Sequence, residues 1–224
     1  MSTVSGLDLS SVPLFPLPNV VLFPRAILPL HIFEERYKLM TADVLESDRL
    51  IAMALLKPGW EKDYYCRPEI EPIVCVGQIL THEKLPDGKY NFLLQGRVRA
   101  RIVRELEDDR PYRVAELEPL HEIVALDIDL ERERAGMLEL FTSGSLAALP
   151  VGRQFRELLA GPLATADIAD LVAFNFLEDV GIKQELLGQV NVRRRVAQTL
   201  SALQHYAAHF NPAMRGFPVE PEAN

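Results

Sequence analysis

His205 and His209 lie four residues apart, the spacing that sets two imidazoles on one helix face and lets them share a metal ion. A metalloprotease helix also needs a glutamate after the first histidine. Here Tyr206-Ala207-Ala208 intervenes, so two ordinary helix histidines are the preferred reading. Cys66, Cys75 and His82 form a loose set that matches no zinc-knuckle spacing. Ser143-Gly144-Ser145 lacks the Gly-x-Ser-x-Gly frame of a nucleophile elbow and has no histidine close in sequence. Gly88-Lys89 is followed by Tyr90, so it cannot be the end of a phosphate-binding loop. Glu34-Glu35 and Asp108-Asp109 are adjacent pairs whose side chains point apart, which is wrong for acid and base acting across one bond. No catalytic residue, metal set or cofactor site is predicted.

Two sets of residues are better suited to binding than to catalysis. Arg97, Arg99 and Arg101 alternate, so on a strand they share one face and could meet phosphates. The preferred reading is a solvated face, neutralised by Glu105, Glu107, Asp108 and Asp109. Trp60, Tyr64 and Tyr65 sit in a polar, loop-like stretch, either tucked beneath it or presented for recognition. Arg193-Arg194-Arg195 opens a helical stretch, where cations oppose the helix dipole. A solvated face is again preferred.

The charge balance limits the partners. The 224 residues carry 24 Lys+Arg against 32 Asp+Glu, a net charge of −8. Neither half is basic: 15 basic residues face 18 acidic ones up to residue 120, and 9 face 14 beyond it. A negative field repels nucleic-acid backbones and anionic lipid. With 48% hydrophobic and 25% charged residues, a substantial core is expected. No window approaches 18 apolar residues, and Met1-Ser2-Thr3-Val4-Ser5-Gly6 has no charged-then-apolar leader pattern. Two cysteines do not make a disulfide framework. A cytoplasmic protein is expected.

Two textures follow one another along the chain. Up to Pro119, short apolar runs are broken by Pro and Gly. Val12 to Pro18 is Pro-punctuated, suiting an edge strand or an extended segment. Val20–Phe23 and Ile27–Leu30 are further strand candidates. Phe33, Tyr37, Met40 and Val44 step by three and four, predicting a helix to about Glu46. Leu50–Leu56 is an unbroken apolar strand candidate. Ile73–Leu85 and Lys89–Gln95 form a hairpin around Pro86-Asp87-Gly88. Gly96 predicts a bulge or bend, after which Val98, Ala100 and Ile102 point inward. With Tyr112–Leu117 as a last strand, this half reads as a small closed or half-closed barrel. Beyond Pro119 the pattern is helical. Asp127 is expected to cap a helix running to about Ala148, Thr165 another and Asn191 a last one, which carries Val196, Leu200, Leu203, Ala207 and Phe210 on a heptad-like seam.

Several of these segments resemble the N-terminal domain of Lon proteases. The resemblance is carried by Val12-Pro13-Leu14-Phe15-Pro16-Leu17-Pro18-Asn19-Val20-Val21-Leu22-Phe23-Pro24 and its continuation Leu28 to Tyr37. The hairpin from Val76-Gly77-Gln78-Ile79 to Ile102 carries it too. So do Leu171–Val180, Lys183-Gln184-Glu185-Leu186-Leu187 and Val192-Arg193-Arg194-Arg195. It implies an α+β fold: a PUA-like β pseudobarrel with one helix, then an α-helical bundle. The expected division is an N-terminal tail (1–11), the barrel (12–120), the bundle (121–210) and a flexible C-terminal tail (211–224). In the full-length protease this domain helps recognise substrates and assemble the hexamer. The family's Walker and Ser-Lys residues have no positions here to be carried onto, so a non-enzyme is expected. The resemblance implies a binder of unfolded or damaged polypeptide, or of a protease or chaperone partner, as a monomer or weak dimer. Trp60, Tyr64, Tyr65, Arg97, Arg99 and Arg101 are its candidate contacts. RNA or small-molecule binding through the barrel is the alternative, with a protease-associated hydrolase as the third reading.

Overall fold

A computed structural model describes residues 6–62, 66–107 and 109–210 of the chain. The expected tail after residue 210 therefore lies outside the described residues. In the first half the strands are β1 (Val12–Leu17), β2 (Ile27–Ile32), β3 (Leu50–Leu55), β4 (Ile73–Lys84), β5 (Tyr90–Glu105) and β6 (Val114–Pro119). A helix, α1 (Glu35–Leu45), lies between β2 and β3. The second half holds α2 (Glu131–Thr142), α3 (Gly152–Ala160), α4 (Thr165–Phe176), α5 (Val180–Gly188) and α6 (Val192–His209). The α+β class and its two textures are present as expected.

The sheet runs β2-β5-β4-β3-β1-β6, and β6 also pairs with β5, closing a ring of five strands. Length makes the closure possible. The 16-residue β5 pairs β2 along Tyr90–Gln95 and β6 along Ala100–Glu105. Strand β2 thus stands outside the ring as an extension. The hairpin turn forms as predicted, with Gly88 at φ +82° and its N–H donating to the Leu85 carbonyl at 2.9 Å. The register slips by one residue at Arg97, between Val76↔Val98 and Gly77↔Gly96, which is the expected irregularity beside Gly96. Glycine is required there: a Cβ on Gly96 would come within 2.0 Å of the Phe23 carbonyl oxygen.

All five ring strands contribute to one lumen cluster: Leu14, Ala52, Val76, Val98, Ala100 and Leu117 are among its members, and Ile102 packs on it. Alanine at 52, 54, 100 and 115 suits so narrow a barrel. A second cluster coats the outer face. There Phe15, Met53, Cys75 and Leu94 meet Tyr37 and Met40 of α1, and Ala173, Leu177, Leu186 and Leu187 from the helical half join them. A third fills the bundle around Phe141, Phe155 and Phe176, whose ring centroids lie 4.9–5.3 Å apart. Helix α4 feeds both the second and third clusters, in keeping with its near absence of a polar face.

Four local expectations are corrected. Strand β1 is not an edge: it runs parallel to β3 from Leu14 to Leu17 and pairs β6 at Val12 and Pro13. Its prolines are tolerated because the β6 pairing is only two residues long. Val20–Phe23 forms no strand; Val21, Leu22 and Phe23 are buried plugs of the outer cluster. Asp127 starts a 3-10 turn, Asp127–Leu130, and the helix after it stops at Thr142. The Asp127 carboxylate instead accepts from the Thr165 N–H at 3.0 Å, supplying the cap that Thr165 was expected to give. Asn191 caps α6 as predicted, accepting from the Arg194 N–H at 3.1 Å.

Candidate functional site

The three alternating arginines do not share an environment. Arg97 and Arg101 are exposed, but Arg99 is only 4% exposed. The helical half covers it. Arg99 Nη2 meets Asp170 Oδ1 of α4 at 2.5 Å, its Nη1 meets Glu122 Oε1 at 3.3 Å, and its Nε–H donates to the Leu187 carbonyl at 3.0 Å. Arg195, also expected on a solvated face, is 1% exposed and completes the cluster, with Nη2 2.8 Å from Glu122 Oε1 and Nε 3.2 Å from Asp170 Oδ1. Two arginines thus share two carboxylates between barrel and bundle. Burial works against the Arg99 charge, but Asp170 and Glu122 outweigh it and push its pKa up. The alternation in the sequence is real. A strand covered on both faces hides one member of the row, and with it the continuous basic face that an RNA backbone would need.

Trp60 is half-buried in a 3-10 turn, Trp60–Lys62. Tyr64 and Tyr65 lie outside the described residues. The His205 and His209 rings are tilted by 42° with centroids 4.3 Å apart, and His209 Nδ1–H donates to the His205 carbonyl at 2.8 Å. Among the described residues no group of three His, Cys, Asp or Glu could hold a metal ion. Cys75 is buried in the barrel wall, which drives its thiol pKa up to about 12, while Cys66 is exposed.

A surface that the residue motifs did not single out lies on the extension formed by β2, β5 and β4. Register sets Pro29, Leu93 and Thr81 in one row and His31, Asn91 and Glu83 in the next. The alternate residues Ile32, Tyr90, Phe92, Leu94 and Ile79 enter the outer cluster. One face of the extension is therefore anchored in the core and the other is open. The open face presents Ile27 (46% exposed) and Leu93. Leu80 is pushed out by the register shift between Ile79 and Thr81. Phe33, 61% exposed, follows β2 and stacks against His31, whose Nδ1–H donates to Asn91 Oδ1 at 2.7 Å. A groove runs across Pro29, His31, Thr81, Asn91 and Leu93. The far edge of β2 pairs with no strand among the described residues. The signal was hidden because β2, Ile-Leu-Pro-Leu-His-Ile, is apolar at nearly every position and so shows no alternation. Four further apolar side chains, Ile123, Val124, Leu126 and Ile128, are exposed on the connection between the halves.

Among the described residues no helix is long and apolar enough to cross a membrane. Comparison with known proteins gives a consistent answer. The family model for the ATP-dependent protease La (LON) substrate-binding domain matches residues 11–205. "Lon protease 2" of Sorangium cellulosum is 29% identical over 198 residues, covering 87% of this chain and 24% of that protein. "Lon protease" of Trichlorobacter lovleyi is 30% identical over 201 residues, covering 87% and 24%. The chain thus spans about a quarter of the length of these relatives. Among solved structures, the N-terminal domain of Mycobacterium avium complex Lon protease aligns with a TM-score of 0.68 at 14% identity, covering 90% of this chain and all of that one. A Lon N-terminal domain protein from Xanthomonas campestris aligns with a TM-score of 0.62 at 22% identity, covering 86% and 98%. The family match is to a substrate-binding domain and not to a catalytic one.

Proposed function

The chain belongs to the ATP-dependent protease La (LON) substrate-binding domain family, and on that premise we propose that it is a non-catalytic binder of unfolded polypeptide, serving as an adaptor in cytoplasmic protein quality control. One observation carries the reading: the open face of the β2–β5–β4 extension and its β2 edge, which pairs with no strand among the described residues. An extended chain laid along β2 would gain main-chain hydrogen bonds, and its alternate side chains would meet Ile27, Leu93 and Phe33. Pro29 sits at this edge and has no N–H, which guards it against promiscuous sheet growth without closing it. Burying apolar side chains supplies affinity without demanding a sequence, as a binder of misfolded chains requires.

The test is fluorescence anisotropy with a reduced, carboxymethylated polypeptide that cannot fold. The variant pair Ile27→Asp and Leu93→Asp is expected to weaken binding at least about tenfold, the loss of roughly 1.4 kcal/mol. Unfolding temperature should fall by no more than a few degrees, because both side chains are already partly exposed. Val124→Asp with Leu126→Asp serves as the second arm. If only that arm loses binding, the site moves to the connection between the halves, and the strand-face assignment is wrong.

A further inference from the structure

A second feature runs against the net charge of the chain. Between α1 and the start of β6, four arginines, Arg36, Arg67, Arg110 and Arg113, line one cavity of about 170 Å³, and no carboxylate is among its lining residues. In a chain with eight more acidic than basic residues, this is a local concentration of positive side chains. Glu34 holds Arg36 at 3.0 Å, and Glu105 and the Pro68 carbonyl hold Arg113, the latter at 2.7 Å. These contacts fix the guanidinium planes and leave Arg113 two of its five N–H groups. Arg110 lies over the Tyr112 ring at 5.5 Å, and that ring is pinned by its hydroxyl donating to Asp43 at 2.5 Å. Arg67 is exposed and has no partner among the described residues. Pro68 and Pro111 stiffen the two loops that carry Arg67 and Arg110.

We infer that this cavity is a binding site for a single phosphoryl dianion. Guanidinium forks match a tetrahedral oxyanion bidentately. Positioned guanidiniums, with Arg67 adding a charge that no described residue pairs, offer what one doubly charged group needs. The volume is below the roughly 300–1,000 Å³ of ordinary small-molecule pockets, so it encloses one phosphoryl group and leaves the remainder of any larger ligand outside. The dianion is either free inorganic phosphate or the phosphoryl group of a modified polypeptide side chain. This site is separate from the strand face and stands whether or not unfolded polypeptide binds there.

The experiment titrates the full chain with inorganic phosphate and with a phosphoserine peptide, against chloride and acetate at matched ionic strength. Calorimetry and unfolding temperature report binding. Cys66, an exposed free thiol on the cavity wall, gives a local readout through its alkylation rate. Phosphate is expected to raise the unfolding temperature by about 5 °C at a hundredfold excess over Kd and to slow alkylation of Cys66 several-fold. Arg67→Ala is expected to cost about tenfold in affinity, with the unliganded unfolding temperature unchanged because Arg67 is exposed and makes no hydrogen bond or ion pair among the described residues. A phosphopeptide that binds more tightly than phosphate identifies the polypeptide source; the reverse order identifies the free ion. Equal effects from acetate or chloride, or unaltered phosphate affinity in Arg67→Ala, overturn the assignment.

Discussion

Asp170 is asked to serve two arginines from a position only 2% exposed. Arg99 reaches it from the barrel and Arg195 from the last helix, while Glu122 supplies the second negative charge. Neutral overall, the cluster has little net value over a well-packed apolar plug, but removing one member strands the others in low dielectric. Asp170→Ala is therefore expected to cost about 3–5 kcal/mol, a fall in unfolding temperature on the order of 10 °C. A drop of only a degree or two would mean that water enters and screens the arginines. Cys75 makes the second residue-scale argument. Burial raises its folded pKa to about 12, whereas an unfolded thiol titrates near its usual 9.0. Below pH 9 both states hold the proton and its contribution to stability is constant. Between pH 9 and 12 the unfolded chain gives the proton up and the native one does not, so stability falls as pH rises. The loss should reach on the order of 1–2 kcal/mol by pH 10.5. Urea midpoints at pH 7.5, 9 and 10.5 should show a shallower alkaline decline in Cys75→Ala than in the parent chain. Parallel declines would remove Cys75 as the cause.

At the level of elements, Gly96 joins the ring to its extension. There β5 passes from pairing β2 to pairing β6, and Phe23 crosses so closely that no Cβ fits. The obstacle is a backbone carbonyl, which cannot rotate away. Gly96→Ala is expected to destabilise by about 3 kcal/mol, measurable as a shifted urea midpoint. The equivalent change at Gly88, where a Cβ meets nothing, strains only the positive φ of the turn and should cost distinctly less. Both glycines were legible in the sequence, because turn and bulge signals are local. So were α1 and the Asn191 cap. What was not legible depended on partners far along the chain. Nothing near Arg99 announces Asp170, 71 residues away, and the preferred solvated face failed for that reason. Thr165 lost its expected capping role to a carboxylate 38 residues earlier. The open strand face is not legible either, because apolar residues point both ways along β2. Only the closed register shows which row the core takes.

Across the whole molecule, the two textures of the sequence do not make two cores. The outer cluster of the barrel includes Ala173, Leu177, Leu186 and Leu187, and α4 lends residues to that cluster and to the bundle. The arginine–carboxylate cluster crosses the same boundary, and Gln184 of α5 donates through Nε2 to the Ile73 carbonyl at 2.8 Å. A seam both apolar and ionic should melt together with what it joins. The chain is therefore expected to unfold in one cooperative transition, with calorimetric and van't Hoff enthalpies equal. A fragment ending at residue 120 tests this directly. It would expose the patch that Leu177, Leu186 and Leu187 cover and leave Arg99 without Asp170, Glu122 or the Leu187 carbonyl. Such a fragment should bind ANS, lose its near-UV circular dichroism and melt without a sharp transition. A fragment that melts cooperatively near the temperature of the full chain would show instead that the lumen cluster alone stabilises the barrel, and that the helices are attached to it rather than built into it.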